Sequence, residues 1–123
     1  MKALKGSCHC GATQFEVTAA PVSVTSCNCS YCAKRGGLWA YYTPEQFKLT
    51  TARDRVSTYQ WGGYFGQHHF CGICGCTTYG ESPDWVDYKP DYANPKIGVN
   101  ARLFNDFDLA AVPVEHVNGK NDW

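Results

Sequence analysis

The chain has 123 residues, 44% of them hydrophobic, and its 11 basic and 11 acidic side chains cancel to a formal net charge of zero. That length predicts one domain, residues 1–123, around one core, and no apolar run approaches the roughly 18 residues needed to span a bilayer. Balanced, scattered charge argues against nucleic-acid binding, because counterion release requires a concentrated basic surface.

The N-terminus, Met1 to Cys8, carries lysines but no apolar stretch, so the sequence predicts no secretory leader and a cytoplasmic, reducing setting. Phe15 and Val17 alternate with polar neighbours, as do Val22 and Val24, and both runs predict strands. Leu38 to Tyr42 is β-prone. Thr43-Pro44-Glu45-Gln46 has a cap residue, a proline at the first helical position and a glutamine three after the cap, which predicts a short helical turn through Phe47. Another turn is expected between Cys29 and Arg35. Ser57, Tyr59 and Trp61 share one face of a strand, Ile97, Val99 and Ala101 share one face of a later one, and Val112, Val114 and Val117 mark a last strand. The three prolines between Ser82 and Pro95 predict a long surface loop offering Trp85, Tyr88 and Tyr92 for contacts. Trp39, Tyr41, Trp61 and Phe65 read as core. The class is mainly β with few helical turns.

Eight cysteines are the outlier. An even count permits disulfides, but a reducing compartment makes them rare and shifts the balance to metal. They fall into three groups: Cys8 and Cys10; Cys27, Cys29 and Cys32; and Cys71, Cys74 and Cys76. Spacings of one or two residues let sulfurs converge about 2.3 Å from one ion, as tetrahedral zinc requires. Gly11, Gly72 and Gly75 follow cysteines, where tight turns leave backbone N–H groups free to point at sulfur. Two zinc ions per chain are expected. A pair from the first group and a pair from the last make one closed four-thiolate site, while the middle triad supplies three ligands and leaves a fourth position open. Cys76 is the spare thiol: it could close the triad, replace Cys71, or be a small buried side chain.

Gly6-Ser7-Cys8-His9-Cys10-Gly11, Cys27-Asn28-Cys29-Ser30-Tyr31-Cys32 and Phe70-Cys71-Gly72-Ile73-Cys74-Gly75 resemble, in that order, the signature of the glutathione-dependent formaldehyde-activating enzyme family. Ile97 to Arg102 and Val117-Asn118-Gly119 with Trp123 are similar to it as well. The resemblance implies a β-tent of short antiparallel sheets, a structural zinc on Cys8, Cys10, Cys71 and Cys74, and a catalytic zinc on Cys27, Cys29 and Cys32. It implies a carbon–sulfur lyase-type enzyme joining glutathione to formaldehyde. Cys76 departs from the pattern, which usually has a small non-ligating residue there.

An open zinc on three thiolates suits a thiol substrate, since coordination deprotonates sulfur. Glutathione's carboxylates need cations, and Arg35 and Arg102 are the candidates, with Tyr31 lining the pocket. His68 and His69 are expected on opposite faces of a strand, where one could shuttle a proton; His9 could add a ligand, although cysteines already suffice. The competing readings are a closed, non-catalytic zinc module and a carbon–sulfur enzyme for another thiol or aldehyde. A redox dithiol fits the C-x-C doublets poorly.

Overall fold

Short β-prone runs, broken by glycine, proline and cysteine turns, build ten strands and two short helices within residues 3–87 and 89–122, the part that a computed structural model of the chain describes. Tyr88 and Trp123 lie outside the described residues, as does the side chain of Trp85. In chain order the elements are β1 Leu4–Ser7, β2 Gln14–Val17, β3 Val24–Cys27, α1 Ser30–Arg35, β4 Trp39–Tyr42, β5 Phe47–Leu49 and β6 Val56–Tyr59. They continue with β7 Gln67–Cys71, β8 Thr77–Val86, β9 Lys89–Asn100, β10 Val114–Val117 and α2 Gly119–Asp122. The mainly β class expected from the sequence is the class observed. No helix among the described residues is long and apolar enough to cross a membrane.

The strands form a three-stranded sheet in the order β1-β2-β5 and a seven-stranded sheet in the order β10-β3-β4-β9-β8-β7-β6. All pairings are antiparallel except β10 with β3, which run parallel from Val114 opposite Val24 to Val117 opposite Cys27.

The stretch from Ser82 to Pro95 is not a loop. It is the outer half of the β8–β9 hairpin, paired at Ser82 with Lys96 and at Asp84 with Asp91. Its prolines are accommodated at a register shift between Ser82 and Asp84 and at Pro90, opposite Trp85. The turn at Pro44–Gln46 forms as the sequence predicts, with Gln46 Oε1 accepting the Thr43 N–H at 2.8 Å. Val22 and Trp61 fall outside the strands assigned to their runs, and Val112 precedes β10.

Strand alternation gives the large sheet two different faces. Val24, Ala40, Tyr42, Tyr79, Ile97 and Val99 point to one side and pack with Phe15, Val17 and Phe104 as the main core. Phe15 stacks on Phe47 at 5.7 Å and meets Phe104 edge-on at 5.9 Å, while Phe47 of the small sheet packs on Tyr79 of the large one at 4.7 Å and joins the two. On the opposite side of the same strands lie Thr25, Cys27, Trp39, Tyr41, Lys96 and Gly98. They line a cavity. The expectation that Tyr41, Trp61 and Phe65 are core is therefore overturned: they are 55%, 39% and 45% exposed. For Tyr41 its side of the β4 pleat decides this, and Trp61 and Phe65 lie in the connection between β6 and β7.

Candidate metal centres and the cavity they adjoin

Cys8 and Cys10 sit in the turn after β1, while Cys71 ends β7 and Cys74 lies in the turn beyond it. The four Sγ atoms lie within 4.8 Å of one another, with Cys8 to Cys10 at 3.7 Å and Cys10 to Cys71 at 3.6 Å. Sulfurs about 2.3 Å from a tetrahedral centre are about 3.8 Å apart, so this set fits a four-coordinate ion. Backbone N–H groups already point at sulfur: Thr13 donates to Cys8 at 3.3 Å, and Ile73 and Cys74 donate to Cys71 at 3.4 and 3.5 Å. Gly11 and Gly75 take positive φ at +83° and +82°, as such turns require. Gly72 has another reason, since a Cβ there would stand 3.2 Å from the Arg55 carbonyl oxygen that its own N–H bonds.

The thiols of this group divide their protons unequally. Burial opposes charge on Cys74, yet the Cys76 and Cys10 N–H groups outweigh it and bring the thiol down to about 5. The Ala12 N–H favours charge on Cys10, but desolvation and the thiols of Cys71, Cys8 and Cys74 push it up to about 11. Cys76 stands beside this cluster rather than the other: the His9 N–H bonds its thiol, and its thiol neighbours are Cys74 and Cys8. Among the described residues it belongs to neither converged group, and His9 belongs to neither.

The second group is Cys27, Cys29 and Cys32, whose Sγ atoms also lie within 4.8 Å of one another. Cys27 ends β3, and Cys29 is the N-cap of α1, its sulfur accepting the Cys32 N–H at 3.3 Å. The Cys29 N–H in turn bonds Cys27 Sγ at 3.4 Å. The helix stops after six residues at Gly36, which is left-handed at φ 68°. Burial works against charge on Cys29, but the N–H and thiol of Cys32 and the thiol of Cys27 lower its pKa, whereas burial raises that of Cys32. Asn28, between two of these sulfurs, is clamped from the C-terminal segment. Its Nδ2 donates to Asn118 Oδ1, and its Oδ1 accepts the Lys120 N–H, both at 3.0 Å.

The triad opens onto a cavity of about 1050 Å³, and the four-sulfur group is not among its lining residues. Gly80 and Gly98 face each other across β8 and β9 and bring no side chains to its wall. A Cβ on Gly98 would meet the Tyr41 ring at 3.4 Å. Tyr31 lines the cavity, as expected, with the imidazole of His68 stacked on it at 4.1 Å. Desolvation, followed by the thiols of Cys32, Cys27 and Cys29, raises the Tyr41 hydroxyl to about 12, so it stays protonated beside the triad.

His68 and His69 do take opposite faces. His68 lines the cavity, whereas His69 is buried against Tyr79 with its ring nitrogens held by Thr58 Oγ1 at 2.8 Å and Glu81 Oε2 at 2.7 Å. The arginines go elsewhere. The Arg35 guanidinium lies 5.4 Å from the Tyr31 and Phe70 ring centres and donates to Thr77, and Arg102 Nε donates to the Gly36 carbonyl. Neither lines the cavity. The residues that sequence reasoning missed are Glu81, Lys96, Gly80 and Gly98, brought in by the β8–β9 pairing. The Asn28–Asn118 contact was missed too, although both residues lie in stretches that resemble the family signature.

Two sheets joined by cysteine turns, with two sulfur groups that could hold metal, define a small mainly β protein. The family described as "Glutathione-dependent formaldehyde-activating enzyme" matches residues 3–117, and the chain belongs to that family. A relative from Halomonas elongata, named "Putative glutathione-dependent formaldehyde-activating enzyme", is 31% identical over 100 residues, which cover 74% of this chain and 64% of that protein. A crystal structure of a Rhodobacter sphaeroides protein superposes with a TM-score of 0.69 at 27% identity, covering 89% of this chain and 98% of the other.

Proposed function

We propose that the chain is a zinc-dependent carbon–sulfur enzyme that joins a thiol to formaldehyde or another small aldehyde. The observation that carries this reading is the asymmetry of the two sulfur groups: three cysteines converge at the wall of a large cavity, and four converge away from it. In this reading Cys8, Cys10, Cys71 and Cys74 hold a structural zinc, and Cys27, Cys29 and Cys32 hold a second one. Bound there, zinc would supply a cation that keeps an incoming thiol ionised near neutral pH.

The chain's own residues supply the rest. Tyr31 and Trp39 pack on the triad and restrict the approach of a substrate to the cavity side. When sulfur adds to the aldehyde carbon, a C–S bond forms, the C=O π bond opens, and the oxygen must take the proton that the thiol gave up. The protonated Tyr41 hydroxyl, on the cavity wall with the triad, is the candidate donor to that oxygen. Glu81, on the same cavity, is an acceptor for the thiol proton, and solvent carries that proton back to the Tyr41 phenolate, so the net transfer is from sulfur to oxygen. The family's name provides glutathione and formaldehyde as the first pair to assay.

The test compares Cys29→Ser with Cys74→Ser. Wild-type protein should carry two zinc ions per chain and form the hemithioacetal. Cys29→Ser should keep its circular dichroism spectrum, lose one zinc and lose the activity, while Cys74→Ser should fail to fold. Equal unfolding of both variants, or activity surviving in Cys29→Ser, overturns the reading.

A further inference from the structure

The part of the cavity wall built by the β8–β9 hairpin ends in an ion pair. Gly80, Ser82 and Asp84 of β8 line the cavity with Gly98 and Lys96 of β9; Gly80 pairs with Gly98 and Ser82 with Lys96. Lys96 is the only lysine or arginine on this wall among the described residues, and its Nζ lies 3.3 Å from Asp84 Oδ1. The two side chains are 55% and 40% exposed, so both heads are within reach of a molecule in the cavity. The other carboxylates of the wall are placed differently. Glu81 is bonded to His69 at 2.7 Å and lies under the charge of Arg53, and Asp87 is exposed in the turn after β8.

Between the triad and this pair the floor is bare. Gly98 pairs with Tyr41, which stands beside the triad, and Lys96 is two residues further along β9, about 7 Å by strand rise. A thiol with its sulfur at the triad can therefore extend over the glycines and bring its far end to an ammonium and a carboxylate side by side. An exposed ion pair is held weakly and exchanges partners easily. A zwitterionic head offers a carboxylate to Lys96 and an ammonium to Asp84, so two charge-assisted bonds replace one. We infer that the Lys96–Asp84 pair sets specificity by recognising an α-amino-acid head group at the far end of the thiol substrate, its carboxylate on Lys96 and its ammonium on Asp84. Glutathione carries such a head on its γ-glutamyl end, and the cation that its carboxylate needs is then Lys96, since Arg35 and Arg102 do not line the cavity. This inference rests on the open-triad reading above.

The test uses the full chain loaded with cobalt, whose absorption bands report a new sulfur ligand. It is titrated at pH 7 with glutathione, with N-acetylglutathione, which lacks the ammonium, and with 2-mercaptoethanol, which lacks both charges. Because these thiols differ in intrinsic acidity, the informative quantity is the change in preference between wild type and variant. In Lys96→Met, which keeps most of the aliphatic stem, the preference for glutathione over 2-mercaptoethanol is expected to fall about tenfold, and Lys96→Arg should retain it. In Asp84→Asn, which keeps the shape of the acid, the preference for glutathione over N-acetylglutathione is expected to fall by a similar factor. Both wild-type preferences should shrink as salt rises. An ion pair that only braces the hairpin would weaken all three thiols alike in both variants, and that result overturns the inference. An unchanged preference in Lys96→Met or in Asp84→Asn overturns it as well. If no thiol perturbs the wild-type cobalt spectrum, the open-triad reading itself fails and the inference falls with it.

Discussion

At the scale of single residues, the site is held by backbone donors and side chains two bonds away from the sulfurs. Cys29 serves as the cap of α1 and as a member of the triad at once, which ties α1 to the position of the triad. Asn28 is fixed by Asn118 and Lys120, some ninety residues away in sequence. Groups that orient ligands in this way typically contribute 10–100-fold to metal affinity. Asn118→Ala is therefore expected to weaken one of the two metals by about tenfold or more and leave the other unchanged. Competition with a metallochromic chelator resolves the two sites, and equal weakening of both would count against the clamp.

At the scale of elements, β4 and β9 are partitions. Ala40, Tyr42, Ile97 and Val99 face the core, and Trp39, Tyr41, Lys96 and Gly98 face the cavity. The cavity has room because Gly98 pairs with Gly80. Gly98→Val would push methyl groups toward the Tyr41 ring, already 3.4 Å from an added Cβ. Overpacking of this kind costs about 1–3 kcal/mol. The expected result is a lower melting temperature and weakened thiol binding with two metals retained. Full thiol affinity in the variant would show that substrate does not approach this part of the wall.

At the scale of the whole molecule, the four-sulfur group joins segments 61 residues apart, from Cys10 to Cys71. Cross-linking a loop of that length removes chain entropy worth about 4 kcal/mol from the unfolded state, using the disulfide formula as a guide. The triad sits within one short stretch and closes no such loop. Graded chelation should therefore proceed in two steps, with the first metal lost at constant circular dichroism and the second lost together with the fold. A single concerted step would contradict the division of labour between the two groups.

The sequence by itself carried the sulfur groups, because ligand spacing within a turn is a local property: C-x-C and C-x-x-C place sulfurs together whatever surrounds them. It also carried the mainly β class and the turns at Pro44 and α1, which depend on neighbours a few residues away. The tertiary structure decided the rest. Whether Tyr41 faces core or cavity follows from which side of β4 the second sheet covers, and no composition reports that. The proline-rich stretch from Ser82 is a strand because β9 pairs with it, and that pairing brings Glu81 and Lys96 to the cavity. Arg35 was drawn away by three aromatic rings from different elements. Cys76, ambiguous by spacing alone, was placed by the turn after β7 beside Cys74, since two residues cannot carry a sulfur across the sheet.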